Sequence, residues 1–128
     1  MISRELLSEV LNKKVIDDDI SNIELKENTI TFIEDYWDED EGSGFYRNHT
    51  INIYELAHKC KEYALSKGYY LRAEQGVNYK DNLQWTAFLN TNMDDGADYV
   101  DYWSATEPEA IFKAAQWILD NVKTNSLP

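Results

Sequence analysis

Nucleophilic chemistry needs a thiol or hydroxyl with a base beside it. This chain offers one thiol, Cys60, and two imidazoles, His49 and His58. The stretch NIYELAHKCKEYALSKGYYLRA, Asn52 to Ala73, reads as one helix running into one strand. On that helix Cys60 shares a face with Leu56 and Ala64, so it is expected in the core, where a thiol in apolar surroundings is inert. His58 is two residues away and points to another side of the helix, so the two cannot pair within it. A single cysteine also excludes an internal disulfide. Two histidines and one cysteine cannot make a zinc site of the usual composition without carboxylates. Neither DEDEGSG nor NMDDGAD has the spacing of a calcium-binding loop. No glycine pattern fits a phosphate loop or a dinucleotide turn, and no G-x-S-x-G occurs. The expected cofactor and metal content is therefore none. Twenty-four acids always supply candidate acid–base pairs, but no spacing marks two of them as special.

What stands out is charge. The 128 residues carry 24 acids against 12 bases, a formal net charge of −12. Such a balance repels phosphate backbones and anionic lipid surfaces, so neither direct nucleic-acid binding nor membrane binding is expected. Residues 1–50 hold 13 acids and 5 bases, and the stretch from Glu34 to Glu41 places six acids in eight positions. Tyr36 and Trp37 lie among them, and aromatics amid charges are typical anchor material for an interface. Asp35, Tyr36, Trp37, Asp38, Glu39, Asp40 and Glu41 are thus the candidate interaction residues, facing a protein with a basic surface. Dense like charge followed by Gly42-Ser43-Gly44 predicts a mobile loop over 35–44. Solvated surface charge that keeps the protein soluble, and packing of the two aromatics over a strand end, are the plainer readings of the same residues.

The elements that must position this segment follow from periodicity and caps. Ser3 caps a short helix with Leu6, Leu7, Val10 and Leu11 on one side, and Lys13-Lys14 beyond its end suits the helix dipole. Asp17-Asp18-Asp19 reads as a solvated turn. Ile23 and Leu25 alternate with polar neighbours, Glu27-Asn28 makes a hairpin turn, and Ile30, Phe32 and Tyr36 continue a strand. Asn52 caps the second helix, with Glu55 completing a capping box and Gly68 suited to a left-handed stop. A strand follows at 69–74, then a polar loop over 75–83 and a strand at 84–90 with Trp85, Ala87 and Leu89 on one face. A hairpin connection at 92–96 leads into a strand at 97–104. Thr106, Pro108 and Glu109 open the last helix, which buries Ile111, Ala114, Ala115, Ile118 and Val122, widened by Phe112, Trp117 and Leu119. Residues 123–128 are expected to fray. One α+β domain over 1–128 results, an α/β sandwich with about 4–5 antiparallel strands and three helices in the order αββ-αβββα. The first residues lack the apolar run of a signal peptide and no segment reads as a membrane span, so a cytoplasmic setting is expected.

From Asn52 to Val122 the order helix, three strands, helix matches a double-stranded-RNA-binding domain. That module needs basic side chains where its last helix begins, and Thr106-Glu107-Pro108-Glu109 has the wrong sign. The pairing of INIYELAHKCKEYALSKGYYL with ATEPEAIFKAAQWILDN instead resembles the phage ABA-sandwich domain family. Gly68-Tyr69, Trp85 to Phe88 and Thr106 to Ala115 carry the likeness, which spans roughly residues 1–12 and 50–122. It implies an α/β sandwich of phage or prophage origin and transfers no catalytic residues. The acidic segment at 35–44 departs from that family's short N-terminal hairpin. The expected function is a non-enzymatic accessory protein working through protein–protein contact. Two alternatives stand beside it: an acidic DNA mimic that occupies a basic protein's channel, and a small hydrolase or transferase with an unrecognised carboxylate site. Nothing in the sequence fixes an oligomeric state.

Overall fold

The computed structural model describes residues 2–16, 23–77, 80–91 and 102–125. The chain runs α1 (Arg4–Leu11), β1 (Val15–Ile16), β2 (Glu24–Lys26), β3 (Thr29–Asp38), β4 (Ser43–Asn52), α2 (Ile53–Ser66), β5 (Tyr69–Val77), β6 (Leu83–Thr91), β7 (Tyr102–Ser104) and α3 (Glu107–Asn125). The fold is α+β, with three helices and exclusively antiparallel strand pairs among the described residues. The strands form two sheets rather than one. In the first, β3 is central, with β1 and β2 along one side and β4 along the other; the second is β5–β6–β7.

The helices form where the caps place them. Ser3 Oγ accepts the Leu6 amide at 3.1 Å and donates to Gln116 Oε1 of α3 at 2.6 Å, so one hydroxyl both starts α1 and ties it to the far end of the chain. Asn52 Oδ1 accepts the Tyr54 amide at 2.8 Å, and Thr106 Oγ1 accepts from Glu109 at 3.4 Å. Gly68 takes a φ of +88° just past α2, a backbone conformation open to glycine at little cost, and β5 begins at once. Lys13 serves the end of α1 with its backbone amide, which donates to the Ser8 carbonyl at 3.1 Å, while the side chains of Lys13 and Lys14 turn to β3. Asn12 closes that helix in the left-handed conformation, and the two ammoniums reach Glu34 (3.9 Å) and Asp35 (3.3 Å) on β3 instead.

One continuous core draws on all three helices and both sheets. Leu6 and Leu7 of α1, Leu56, Cys60 and Ala64 of α2, and Ile111, Ala114, Ala115 and Ile118 of α3 meet Ile30 and Phe32 of the first sheet and Leu71, Ala87 and Leu89 of the second. Phe112 and Leu119 are buried too, so the apolar arc of α3 is as wide as its sequence indicated. Trp117 meets Tyr69 edge-on, with centroids 5.9 Å apart. The α3 helix packs against the second sheet, α1 against β1, and α2 touches both β4 and β5.

Several expectations need correction. The mobile loop over 35–44 is instead the end of β3, a tight turn and the start of β4. The polar loop over 75–83 is shorter, because β5 continues through Gln75, Gly76 and Val77 and pairs with Leu83 to Trp85. Leu25 is exposed, since β2 is a three-residue strand at the sheet margin with both of its faces uncovered. Residues 123–125, expected to fray, are the last residues of α3. The turn at Asp17-Asp18-Asp19, the connection at 92–96, the strand residues 97–101 and the tail 126–128 lie outside the described residues, as does the side chain of Val122.

Candidate functional site

The β3–β4 hairpin is the feature the core does not account for. Ten residues of β3 pair with ten of β4, from Thr29↔Asn52 at the base to Asp38↔Ser43 at the tip. Among these twenty residues only Ile30, Phe32 and Glu34 are buried, all within the six pairs nearest the base. Beyond Glu34 the hairpin has no buried residue.

The tip is built by its own carboxylate. Asp38 Oδ1 accepts the amides of Asp40 (2.9 Å) and Glu41 (3.3 Å), and the Asp38 carbonyl accepts the Gly42 amide at 2.8 Å. Gly42 completes the turn with a φ of +64°, where a Cβ would be strained. An aspartate whose side chain bonds the backbone just ahead is a strong turn former, which is why so acidic a sequence still closes a defined hairpin.

Register sorts the outer residues onto two faces. On one face Tyr36 opposes Phe45, with ring centroids 5.1 Å apart, and the Arg47 guanidinium lies 3.4 Å from the Tyr36 ring centroid. On the other face Trp37 covers Gly44, where an added Cβ would sit 3.4 Å from the indole, and Tyr46 stands beside Asp35. Trp37 is 62% exposed, Tyr46 67% and Phe45 38%. Of the candidate residues, Asp35, Tyr36, Trp37 and Asp38 therefore belong to β3, while Glu39, Asp40 and Glu41 are in the exposed turn. The fold joins Phe45, Tyr46 and Arg47 to them, residues that sequence reasoning missed. Their signal was the run of Phe, Tyr, Thr and Ile after Gly42-Ser43-Gly44, a strand composition. It lacks apolar–polar alternation because neither face of β4 is covered along most of its length.

Charge is uneven along the hairpin. Its strands and turn hold six carboxylates and one guanidinium. At the base, Glu34 is buried and its Oε1 lies 2.8 Å from His49 Nε2 and 3.9 Å from Lys13 Nζ, while His49 stacks on Phe32 with centroids 5.1 Å apart. Lys14 meets Asp35. Glu39, Asp40 and Glu41 project into solvent.

An open cleft of about 440 Å³ lies between the end of α1 and β3, lined by Ser8, Glu9, Asn12, Lys13, Lys14 and Glu34. Its components serve the junction of helix and sheet. Ser8 Oγ accepts the Val15 amide at 3.2 Å, and Glu34 is held by His49 and Lys13. Cys60 is elsewhere, fully buried, and burial pushes its thiol up to about 12. His58 is exposed on α2, 3.5 Å from Glu62. Among the described residues no three His, Cys, Asp or Glu side chains gather as a metal site requires, and no helix is long and apolar enough to cross a membrane. Comparison with protein-family models, curated proteins and solved structures finds no significant match.

Proposed function

We propose that the protein is a non-enzymatic binding module whose β3–β4 hairpin docks onto a basic surface of a partner protein. The observation that carries this reading is the exposure of Trp37 and Tyr46 side by side on one outer face of the hairpin, next to an uncompensated acidic turn. Large aromatics left in water cost free energy that a partner recovers by covering them. Charge around such anchors steers the encounter and selects the sign of the partner. A DNA mimic fits less well, because the free carboxylates of the hairpin bunch at one turn instead of running along a face at phosphate-like intervals. The enzyme alternative fits less well because, of the two carboxylates lining the cleft beside α1, Glu34 is held by His49 and Lys13, and the Ser8 hydroxyl oxygen accepts the Val15 amide, which leaves Glu9 without a second carboxylate or nucleophile to act with. The resemblance to phage ABA-sandwich proteins adds a phage or prophage setting inside the cell to this proposal, and the docking argument does not depend on it.

Cross-linking capture from host-cell extract tests the reading, comparing the native chain with Trp37→Ala/Tyr46→Ala and with Asp40→Lys/Glu41→Lys. A basic partner captured by the native protein and lost from both variants is the expected result, with capture weakening as salt rises. Identical partners recovered by all three proteins would refute it.

A further inference from the structure

We infer that β4 is a strand-addition site, and that its occupant is an extended, Lys- or Arg-bearing segment of the partner protein. This rests on the docking reading above and specifies how docking occurs.

The hydrogen-bond phase of β4 comes first. In an antiparallel pair, residues alternate between those bonded to the partner strand and those whose N–H and C=O point away. The Ile53 amide donates to the Asn28 carbonyl at 2.8 Å, continuing the register in which Ile51 faces Ile30 and His49 faces Phe32. The odd-numbered residues of β4 therefore bond inward to β3. Gly44, Tyr46, Asn48 and Thr50 direct their backbone groups outward. The same phase is visible on the other side of β3, where the outward Asp35 amide donates to the Lys14 carbonyl at 2.8 Å. No strand among the described residues pairs with the outer side of β4.

Open edges are normally blunted by brevity, by charge, or by proline. β1, β2 and β7 are two or three residues long. β5 carries Arg72 and Glu74 in an exposed ion pair at 2.7 Å. By contrast β4 presents ten residues with one charged side chain, Arg47, and no proline. That guanidinium is turned onto the Tyr36 ring.

Charge identifies the occupant. A strand laid along β4 would run beside Tyr46 on one face and Phe45 on the other, with Trp37 and Tyr36 one strand further in, and its end would reach the turn of Glu39, Asp40 and Glu41. A second copy of this chain would bring the same net charge of −12 and the same acidic tip. A segment with Lys or Arg at the end that reaches the turn complements Glu39, Asp40 and Glu41, while its main-chain bonds to β4 supply affinity.

The test uses the whole 128-residue chain and three synthetic peptides of about ten residues. One is a Thr-rich segment ending in a Lys cluster (the Lys–Thr peptide), the second is the same peptide N-methylated on alternate amides, and the third carries Glu in place of that Lys cluster (the Glu–Thr peptide). Binding is read by NMR titration and by amide hydrogen exchange. The Lys–Thr peptide is expected to slow exchange at Gly44, Tyr46, Asn48 and Thr50 at least about tenfold, while the inward-bonded amides of Phe45, Arg47 and His49 change little. The N-methylated peptide and the Asn48→Pro variant, whose proline replaces an outward amide, should each bind at least about tenfold more weakly. The Glu–Thr peptide should not bind. Equal binding of the plain and N-methylated peptides, with the four outward amides still exchanging freely, would overturn strand addition and leave the basic-partner reading standing. Failure of the Lys–Thr peptide to bind at all would overturn strand addition, while the basic-partner reading stands or falls with the capture experiment. A dimer in sedimentation equilibrium that Asn48→Pro abolishes would make a second copy the occupant and overturn the one named here.

Discussion

Cys60 illustrates how much one side chain can report. Its place on the α2 stripe with Leu56 and Ala64 is enough to put it in the core, and the structure leaves it with no exposed surface. Burial disfavours the thiolate, raising the thiol from 9.0 to about 12. Tyr63 is shifted in the same direction, first by burial and then by the Glu9 carboxylate. The unfolded chain thus releases these protons at lower pH than the folded one. Their contribution is complete below about pH 9 and drains away as pH rises toward about 12. Urea unfolding should show stability falling across that window, and Cys60→Ala should flatten part of the decline. Iodoacetamide at neutral pH should label the native protein at least about 100-fold more slowly than the urea-unfolded chain, since only the exposed thiolate reacts. Glu34 is the complementary case, a buried carboxylate that holds His49 and Lys13. Glu34→Ala should cost about 2 kcal/mol in urea unfolding, chiefly by leaving the half-buried His49 without its acceptor. Sequence spacing does not pair residues 34 and 49; the β3–β4 register does.

The elements were readable in proportion to how far local chemistry alone determines them. Helix caps are short-range, so Ser3, Asn52 and Thr106 were identifiable in the sequence and each accepts an amide of its own first turn. Asn52→Ala should therefore lower stability by about 1 kcal/mol, measured by thermal or urea unfolding. Strand lengths were less legible. Gln75-Gly76-Val77 and Gly44-Phe45-Tyr46-Arg47 are strands because a partner strand bonds them, although neither has one buried and one wet face. Acidic residues at 38–41 looked like a reason for disorder, yet the Asp38 carboxylate bonds the turn that follows it. Gly42→Ala should cost about 1 kcal/mol by straining the positive φ, and it should also broaden the NMR signals of the hairpin tip.

At the scale of the whole molecule, the buried residues divide from the exposed hairpin. Leu56 and Ile118, both fully buried in the shared core, should each cost about 2–5 kcal/mol when cut to alanine. Trp37→Ala and Tyr46→Ala, on the outer hairpin, should change unfolding free energy by no more than about 0.5 kcal/mol. That contrast, measured in one urea series, separates residues that hold the fold together from residues that the fold leaves exposed. A large loss of stability from Trp37→Ala would mean that the indole belongs to the fold.

The amino-acid order by itself determined the α+β class, the three helices with their caps and buried stripes, the inertness expected of Cys60 and the concentration of acid near residues 34–41. All of these depend on interactions within a turn or two of helix, or on simple totals. Tertiary structure alone decided that the strands divide into two sheets around the helices, that Glu34 meets His49 and Lys13, and that Phe45, Tyr46 and Arg47 join Tyr36 and Trp37. Those outcomes depend on which strand lies beside which and in what register, a choice made by distant partners and by the burial they jointly achieve.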